Sequence, residues 1–226
     1  MGKCLFVTGT GTDVGKTYVT GLILKKLQKA GKNAAYYKAA MSGNERGPDG
    51  RLIPGDAVQV KQISGIGQPL DEMCPYVYEA AVSPHLASAL EGNPVRMDVV
   101  RRGLQAMRAA YPYLTVEGSG GILCPIAFGE EIIWMEDVIR ETAADCLVVA
   151  EAGLGTINAV LLTVHYMKSR GLHPAGIILN RFHPGDRLEE DNRQMCALSG
   201  VPVLACLEEG CQDLPLDTET LLSLYQ

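Results

Sequence analysis

The most constraining feature of this sequence is a glycine-rich segment that directly follows a short apolar run. Residues 4–7 read CLFV, and residues 9–17 read GTGTDVGKT. A short strand, a glycine-rich turn ending in Gly-Lys-Thr and a following helix are typical of a phosphate-binding loop. The strict pattern has glycine where this chain has Thr10, and Gly9 lies one residue earlier. A turn without a ligand is the alternative, but such a turn does not require Lys-Thr, so we expect a nucleotide site.

The chemistry of such a loop assigns roles to its last residues. Glycines let backbone N–H groups approach phosphate oxygens, because a Cβ would block the approach. Lys16 is expected near the β- and γ-phosphates, and the hydroxyl of Thr17 is expected to bind Mg²⁺. The helix that begins here adds the positive end of its dipole.

Length and composition predict one soluble domain over residues 1–226. The chain is 47% hydrophobic, which allows one sizeable core, and its net charge of −6 argues against nonspecific nucleic-acid binding. No apolar run approaches the ~20 residues of a membrane span, and the N-terminus enters a strand directly. The seven cysteines are an odd number without CxxC spacing, which favours reduced thiols in a cytoplasmic protein over a zinc site.

Strand and helix patterns alternate along the chain. We expect strands at 4–7, 33–40, 113–117, 145–150, 174–180 and 201–207, and helices at 18–29, 57–64, 84–91, 97–110, 135–144, 157–169, 186–198 and just before residue 224. Ser83 is expected to cap the third of these helices, with Pro84 at its first position. Continuous apolar strands separated by helices predict an α/β, P-loop NTPase-like fold with a mostly parallel sheet and helices on both faces.

Distinctive polar residues lie at the predicted carboxyl ends of these strands, where ligands bind in such sheets. They are Lys38, Glu117, Asn180 and the turn 153–156, beside the phosphate loop. We therefore expect one edge of the sheet to carry the active site.

Three oxygen-bearing side chains are candidates for a magnesium site on nucleotide phosphates. Mg²⁺ prefers hard oxygen ligands and needs only one or two carboxylates beside phosphate and water. Thr17, Asp56 and Glu117 fit this requirement, although Asp56 is equally explained as a helix N-cap and Glu117 has a solvated strand end as its alternative. Lys16 and Lys38 would place two cations beside a transferring phosphoryl group, unless Lys38 is simply solvated.

A second glycine-rich turn, residues 153–158, leads from a strand into a helix but has no lysine. Free N–H groups at a helix start bind carboxylates as well as phosphates. The turn is a candidate grip for an anionic substrate, with a close-packed structural turn as the alternative.

Together these motifs resemble the dethiobiotin synthetase family. The resemblance follows the family's order over most of the chain and rests on Gly9 to Thr17, Tyr37-Lys38, Ser42-Gly43, Asp56-Ala57, Ser83-Pro84-His85, Glu117 to Gly121, Gly155 to Asn158 and Asn180. It implies an ATP- and Mg²⁺-dependent cyclo-ligase that carboxylates 7,8-diaminononanoate with CO2 and closes the ring. The products would be dethiobiotin, ADP and phosphate, formed through a carbamate and a carbamic–phosphoric anhydride.

The resemblance also implies a role for each matching residue. Magnesium would be held by Thr17, Asp56 and Glu117. The nucleotide would be bound by Asp13, Val14, Gly15, Lys16, Thr17, Tyr18, Glu117 and Asn180, the last of which matches the family's adenine-reading residue. Catalysis would use Lys16, Lys38, Thr12 and Ser42. The substrate would lie at a homodimer interface and contact Thr12, Lys38, Ser42, Gly118, Gly155, Thr156, Ile157 and Asn158.

This sequence departs from the family at four places. Ala39 stands where proline usually follows the lysine, and Ala159 where histidine often follows the asparagine. Arg181 replaces the common aspartate, and residues 205–208 read ACLE in place of a GEIP-like run. The last two departures leave the choice of nucleotide base open.

Two other classes share the phosphate loop. A P-loop amidoligase such as a cobyrinate diamide synthase usually carries a glutaminase domain, for which this chain has no room. A nucleotide switch of the partitioning type carries an extra lysine where this chain has Gly11, and often a membrane-binding tail, whereas residues 217–226 lack a basic amphipathic face.

Overall fold

A six-stranded sheet organises the protein, seen in a computed structural model that describes residues 1–129 and 131–226. The strands are β1 (Lys3–Gly9), β2 (Ala34–Lys38), β3 (Tyr113–Glu117), β4 (Pro125–Ala127), β5 (Ile133–Trp134), β6 (Asp145–Glu151), β7 (Pro174–Asn180) and β8 (Val203–Leu207). The helices are α1 (Lys16–Lys29), α2 (Gly55–Ser64), α3 (Pro84–Leu90), α4 (Met97–Ala110), α5 (Met135–Thr142), α6 (Thr156–Ser169), α7 (Arg187–Ala197) and α8 (Thr218–Ser223). The large sheet has the order β2-β3-β1-β6-β7-β8, and all of its pairs are parallel.

The core lies in two layers, one on each face of this sheet. Successive side chains of a strand point to opposite faces. Cys4 and Phe6 of β1 accordingly pack in the layer shared with α4 to α7, while Leu5 and Val7 pack in the layer shared with α1, α2 and α8. The predicted parallel sheet with helices on both faces is confirmed.

Two features differ from the sequence-based expectation. The antiparallel pair β4–β5 and a 3₁₀ turn at Leu70–Glu72 lie in segments for which no element was predicted. Both are only two or three residues long, so periodicity cannot indicate them. Ser83 precedes α3 as expected, with Pro84 at its first position, but the Ser83 side chain makes no capping hydrogen bond and lines a cavity instead.

Within the described residues, no helix is long and apolar enough to cross a membrane. The same part of the chain contains no group of three or more His, Cys, Asp or Glu side chains arranged to hold a metal ion.

Candidate active site

The phosphate loop lies between the end of β1 and the start of α1. Gly15, which precedes α1, has a φ of 93°, and a Cβ built on it would lie 2.0 Å from Nδ2 of Asn180. Only glycine fits this position, because the backbone conformation and the close contact both exclude a side chain. Lys16 follows directly, is 6% exposed, and its Nζ donates to the carbonyl of Gly11 at 2.7 Å.

The departure at Thr10 has a structural explanation. A Cβ on Gly9 would come within 2.8 Å of Val14 Cγ2, so the close approach that needs glycine occurs at Gly9. The N–H of Thr10 donates to the carbonyl of Val149 at 3.0 Å, which extends the contact between β1 and β6 by one residue. The loop therefore closes on itself without glycine at position 10.

A lysine and two carboxylates meet at the carboxyl ends of β2 and β3. Lys38 and Glu117 lie opposite each other in the register of these strands. The Nζ of Lys38 donates to Glu117 Oε1 at 2.7 Å and to Asp56 Oδ2 at 2.6 Å. Thr17 Oγ1 donates to the same Glu117 oxygen at 2.8 Å. The cluster thus joins the phosphate loop to the two strands beside it.

These contacts decide between the alternatives that the sequence left open. Glu117 is 1% exposed and Lys38 is 5% exposed, so neither is a solvated strand end. The N-cap of α2 is Pro54, and Asp56 lies in the first turn with its carboxylate on Lys38. The N-cap interpretation of Asp56 is therefore wrong.

Burial and neighbouring charges act differently on the two lysines. Burial, aided by the nearby charge of Lys38, lowers the pKa of Lys16 from 10.5 to about 8. Burial also acts to lower the pKa of Lys38, but the carboxylates of Glu117 and Asp56 outweigh it and raise that pKa. Burial acts to raise the pKa of Asp56, and Lys38 more than offsets it, so Asp56 is ionised more readily than usual. The positive charge of Lys38 is already balanced by two carboxylates. Lys16 is therefore the cation that a bound phosphate would stabilise.

The donor set around Glu117 fits a magnesium ion. The oxygens of Thr17, Asp56 and Glu117 all lie within hydrogen-bond reach of one another or of the same Lys38 ammonium. They are hard oxygen ligands beside a phosphate loop, which is the chemistry Mg²⁺ requires, and they leave its remaining positions to phosphate and water.

A cavity of about 920 Å³ collects most of the predicted residues. Its lining includes Thr12, Asp13, Gly15, Lys16, Thr17, Tyr18, Lys38, Ser42, Asp56, Glu117 and Asn180. Two further predicted residues lie behind it. The carbonyl of Val14 accepts from Asn180 Nδ2 at 3.1 Å, and Gly118 packs so tightly that a Cβ would lie 3.1 Å from Phe6.

The sequence reasoning missed several residues of this site. Tyr36 donates from its hydroxyl to Glu117 Oε2 at 3.0 Å and is fully buried. The two-residue period of a strand could have found it, because Tyr36 shares a face of β2 with Lys38. Tyr37, which the motif includes, points to the other face, where its hydroxyl donates to the carbonyl of Val100. The other unpredicted lining residues include Gln59, Ser119, Cys124, Arg181 and Glu209.

A second, apolar groove of about 480 Å³ adjoins the cavity along α6. Thr12, Gly120 and Cys124 line both spaces. The far wall of the groove is formed by Ala159, Leu162, Thr163 and Tyr166. The cavity beside the phosphate loop and this largely apolar groove therefore share a wall.

The second glycine-rich turn is not part of either space. Residues 155–158 line neither the cavity nor the groove. Gly155 has a φ of 93° and open space around its Cβ position, and Leu154 is 92% exposed. On its other side the turn packs against α7, because Asn192 Nδ2 donates to the carbonyls of Ala152 and Gly153 at 2.8 and 3.0 Å and Thr156 is buried. Thr156 Oγ1 is buried without a hydrogen-bond partner among the described residues.

Comparison with known proteins identifies the family of this chain. A family described as an AAA domain matches residues 3–212. A protein of Brachyspira hyodysenteriae named ATP-dependent dethiobiotin synthetase BioD is 42% identical, with both chains covered in full. A Clostridium perfringens protein of the same name is 43% identical over 89% of this chain and 88% of its own.

Solved structures show the fold at much lower identity. The cell division protein MinD of Aquifex aeolicus in its complex with MinC has a TM-score of 0.56 and 14% identity, covering 92% of this chain and 81% of that one. The signal recognition particle 54 kDa protein of Aeropyrum pernix has a TM-score of 0.55 and 16% identity, covering 99% of this chain and 48% of that one. The P-loop fold rests on these structures, and the family rests on the full-length relatives. The resemblance seen in the sequence is thereby confirmed: this chain belongs to the dethiobiotin synthetase family.

Proposed function

We propose that this protein is an ATP-dependent ligase that forms dethiobiotin from 7,8-diaminononanoate and CO2. The observation that carries the proposal is the junction at Thr12, Gly120 and Cys124, where a phosphate cavity opens into an apolar groove. A nucleotide and an aliphatic diamine acid need such a pair of joined spaces. The full-length relatives named dethiobiotin synthetase support the same reaction.

The proposed reaction has three steps. One substrate amine adds to CO2 and loses a proton, which gives a carbamate. A carbamate oxygen attacks the γ-phosphorus of ATP, the bond to the β-phosphate oxygen breaks, and ADP leaves with a carbamic–phosphoric anhydride in place. The second amine attacks the anhydride carbon, phosphate leaves, and loss of a proton completes the ureido ring.

The chain's own residues act mainly by positioning and charge. Lys16, whose pKa is lowered by burial, regains a favourable environment beside the β- and γ-phosphates. Lys38 lines the same cavity as Lys16, and we propose that the carbamate meets the γ-phosphoryl group beside it, so that Lys38 stabilises the charge on both. Thr12 and Ser42 line the same cavity and would orient the carbamate by hydrogen bonds.

Thr17, Asp56 and Glu117 would hold Mg²⁺ in this scheme. When bound, the ion offsets the negative charge of the phosphates. Tyr36 fixes the second Glu117 oxygen, which leaves Oε1 directed toward Thr17 and Lys38.

We further propose that the substrate lies between two copies of this chain. Leu123 and Leu162 line the same apolar groove and are more than half exposed, as is Leu154, and we propose that a second copy covers this exposed apolar surface. In the second turn the N–H of Thr156 donates to the carbonyl of Gly153, whereas the N–H groups of Ile157 and Asn158 lie in the first turn of α6, where no intrahelical acceptor exists. These two N–H groups would hold the substrate carboxylate of the partner's site.

Two broader assignments belong with this proposal. We propose that residues 1–226 act as one domain, because strands from Lys3 to Leu207 share one sheet. We place the protein in the cytoplasm, since its seven cysteines are free thiols, as a reducing compartment favours.

The test is phosphate release from ATP, Mg²⁺ and bicarbonate, measured with and without 7,8-diaminononanoate. We expect release to require the diamine, with dethiobiotin detected by mass spectrometry in equal amount. Repeating the assay with GTP and CTP shows what Arg181 and residues 205–208 do to base choice. Release that ignores the diamine would favour a nucleotide switch and contradict the proposal.

A magnesium titration tests the proposed ion site. Glu117→Gln should shift the Mg²⁺ dependence to higher concentration, because a neutral amide is a weaker ligand than a carboxylate. Glu136→Gln is the matched control, since Glu136 is also buried but pairs with Arg170 and does not line the cavity. An unchanged titration in Glu117→Gln would remove this residue from the ion site.

A further inference from the structure

Two residues beside the phosphate cavity hold an unusual backbone conformation and contact each other. Among the described residues, only Asp13, Ala143 and Arg181 have a positive φ without being glycine. Ala143 simply ends α5. Asp13 and Arg181 have φ values of 59° and 54°, both line the cavity, and Nη1 of Arg181 donates to the carbonyl of Asp13 at 3.1 Å.

Such conformations persist only where the surroundings hold them, and they are concentrated at functional sites. Here the holding contacts come from neighbouring strands. The same Nη1 of Arg181 is paired with Glu151 Oε1. Glu151 is the last residue of β6, and it lies opposite Asn180, the last residue of β7, in the sheet register. One guanidinium nitrogen therefore ties the ends of two strands to the loop that follows β1.

The hydrogen bond from Arg181 is made to the Asp13–Val14 peptide of the phosphate loop. The carbonyl of Asp13 and the N–H of Val14 belong to one planar trans peptide, so they point in opposite directions. Asn180 Nδ2 holds the next carbonyl, that of Val14, in the same way at 3.1 Å. Two consecutive peptides of the loop are thus held through their carbonyls from the β7 side, which directs their N–H groups away from β7. Backbone N–H groups are what such loops use to hold phosphate.

We propose that Arg181 is a positioning residue for the phosphate loop. Anchored on Glu151, its guanidinium holds the Asp13–Val14 peptide so that the N–H is ready for a nucleotide phosphate. Arg181 thereby strengthens nucleotide binding without contacting the phosphates. This inference rests on nucleotide binding by the loop and not on which amine is carboxylated.

The test measures the Kd of Mg²⁺–ADP by titration calorimetry on the full-length protein. Arg181→Ala should raise the Kd about tenfold, the size of one hydrogen bond to a charged group at a half-exposed site. Arg181→Lys should recover most of that loss, because an ammonium has three donors and can reach both oxygens. Arg193→Ala is the matched control, since Arg193 is similarly exposed and also paired with a glutamate but lines neither space. It should leave the Kd unchanged.

Glu151→Gln separates positioning from direct phosphate contact. If Arg181 acts through the loop, loss of its anchor weakens ADP binding about threefold, and the double variant with Arg181→Ala is no weaker than Arg181→Ala alone. Tighter binding in Glu151→Gln, or fully additive losses, would mean that the guanidinium binds phosphate itself and would overturn the inference.

A second variant and a melting curve serve as controls for misfolding of Arg181→Ala. Arg181→Gly adopts a positive φ without strain, so it should keep the wild-type Tm and still bind ADP as weakly as Arg181→Ala. A wild-type Kd in either variant would overturn the inference. Failure of the wild-type protein to bind ADP at all would instead contradict the proposed nucleotide function.

Discussion

The protein contains two glycine-rich turns that are nearly alike in backbone and opposite in surroundings. Each follows a central strand, each ends in a glycine with a φ of 93°, and each opens a helix of 14 residues. Around Gly15 the space is closed, since Asn180 lies where a Cβ would be and Lys16 bonds back to Gly11. Around Gly155 the space is open.

The two turns differ in how much of a binding site one chain supplies around them. The first turn has its lysine, its carboxylate cluster and a cavity within one chain. The second turn has no lysine and no carboxylate cluster, and Leu154 is exposed beside it, so by our proposal its ligand and its cover come from a second copy of the chain. The same local geometry therefore serves phosphate in one place and, by our proposal, a partner's substrate in the other.

Removal of either lysine of the phosphate site, Lys16 after the first turn or Lys38 at the end of β2, should have the largest effect on turnover. Lys16→Ala and Lys38→Ala are each expected to lower kcat by roughly 10³-fold, because each removes charge stabilisation of the transferring phosphoryl group. Steady-state phosphate release measures this. Near-normal turnover in either variant would remove that lysine from the mechanism.

Matched glycine substitutions compare the two turns directly. Gly15→Ala should weaken Mg²⁺–ADP binding by about 10²-fold or more, because its Cβ meets Asn180 and its φ is unsuited to alanine. Gly155→Ala has the same strain but no clash, and should leave ADP binding within about twofold of wild type. Titration calorimetry checks both. Equal losses in the two variants would mean that the turns are not functionally distinct.

A proline substitution tests the N–H groups of the second turn. Ile157→Pro removes one N–H from the first turn of α6, where no intrahelical bond uses it, and should raise the KM for the diamine about tenfold with little change for ATP. Ile157→Ala keeps the N–H and is the control. The methyl ester of the substrate should bind the wild type as weakly as the acid binds Ile157→Pro. Equal affinity of the wild type for ester and acid would contradict a carboxylate grip.

ADP binding at the first turn should also depend on pH, with no change at all below the pKa of Lys16. In the ligand-free protein the pKa of Lys16 is about 8, so this side chain loses its charge as the pH rises through 8. ADP binding should then weaken, by up to about tenfold per pH unit, and Lys16→Met should lose this dependence. A wild-type Kd that is flat from pH 7 to 9 would contradict the lowered pKa.

As the pH rises, the free energy of unfolding should increase while ADP binding weakens. Because the folded pKa of Lys16 is below its unfolded value of 10.5, charged Lys16 destabilises the fold below pH 8, and this penalty disappears as the pH rises from 8 to 10.5. Lys16→Met should therefore raise the Tm of the ligand-free protein at pH 7 by about 2–4 °C for each kcal/mol relieved. A lower Tm would show that the bond to Gly11 outweighs the burial of charge.

Some of this site could be predicted from the sequence and some could not. Lys38, Glu117 and Asn180 were found because strand ends share one edge of a parallel sheet. The role of Asp56 could not be decided from the sequence, since a position near a helix start does not indicate that its carboxylate accepts a hydrogen bond from Lys38 on another element. The Arg181–Asp13 bond joins residues 168 positions apart, and no local pattern carries it. Local periodicity thus predicts the frame, and tertiary contacts decide which polar residues meet.

The most direct test of the account is to mix two impaired variants of the protein and to measure turnover at a diamine concentration well below the KM, where Ile157→Pro should keep only about a tenth of wild-type turnover. Lys38→Ala has a defective phosphate site and an intact second turn, whereas Ile157→Pro has the reverse. If the second turn serves the partner's site, unfolding and refolding an equal mixture should restore about a quarter of wild-type turnover, because half of the dimers are mixed and each has one complete site. No recovery above the two separate variants would mean that the turn acts within its own chain or not at all, and would contradict the account.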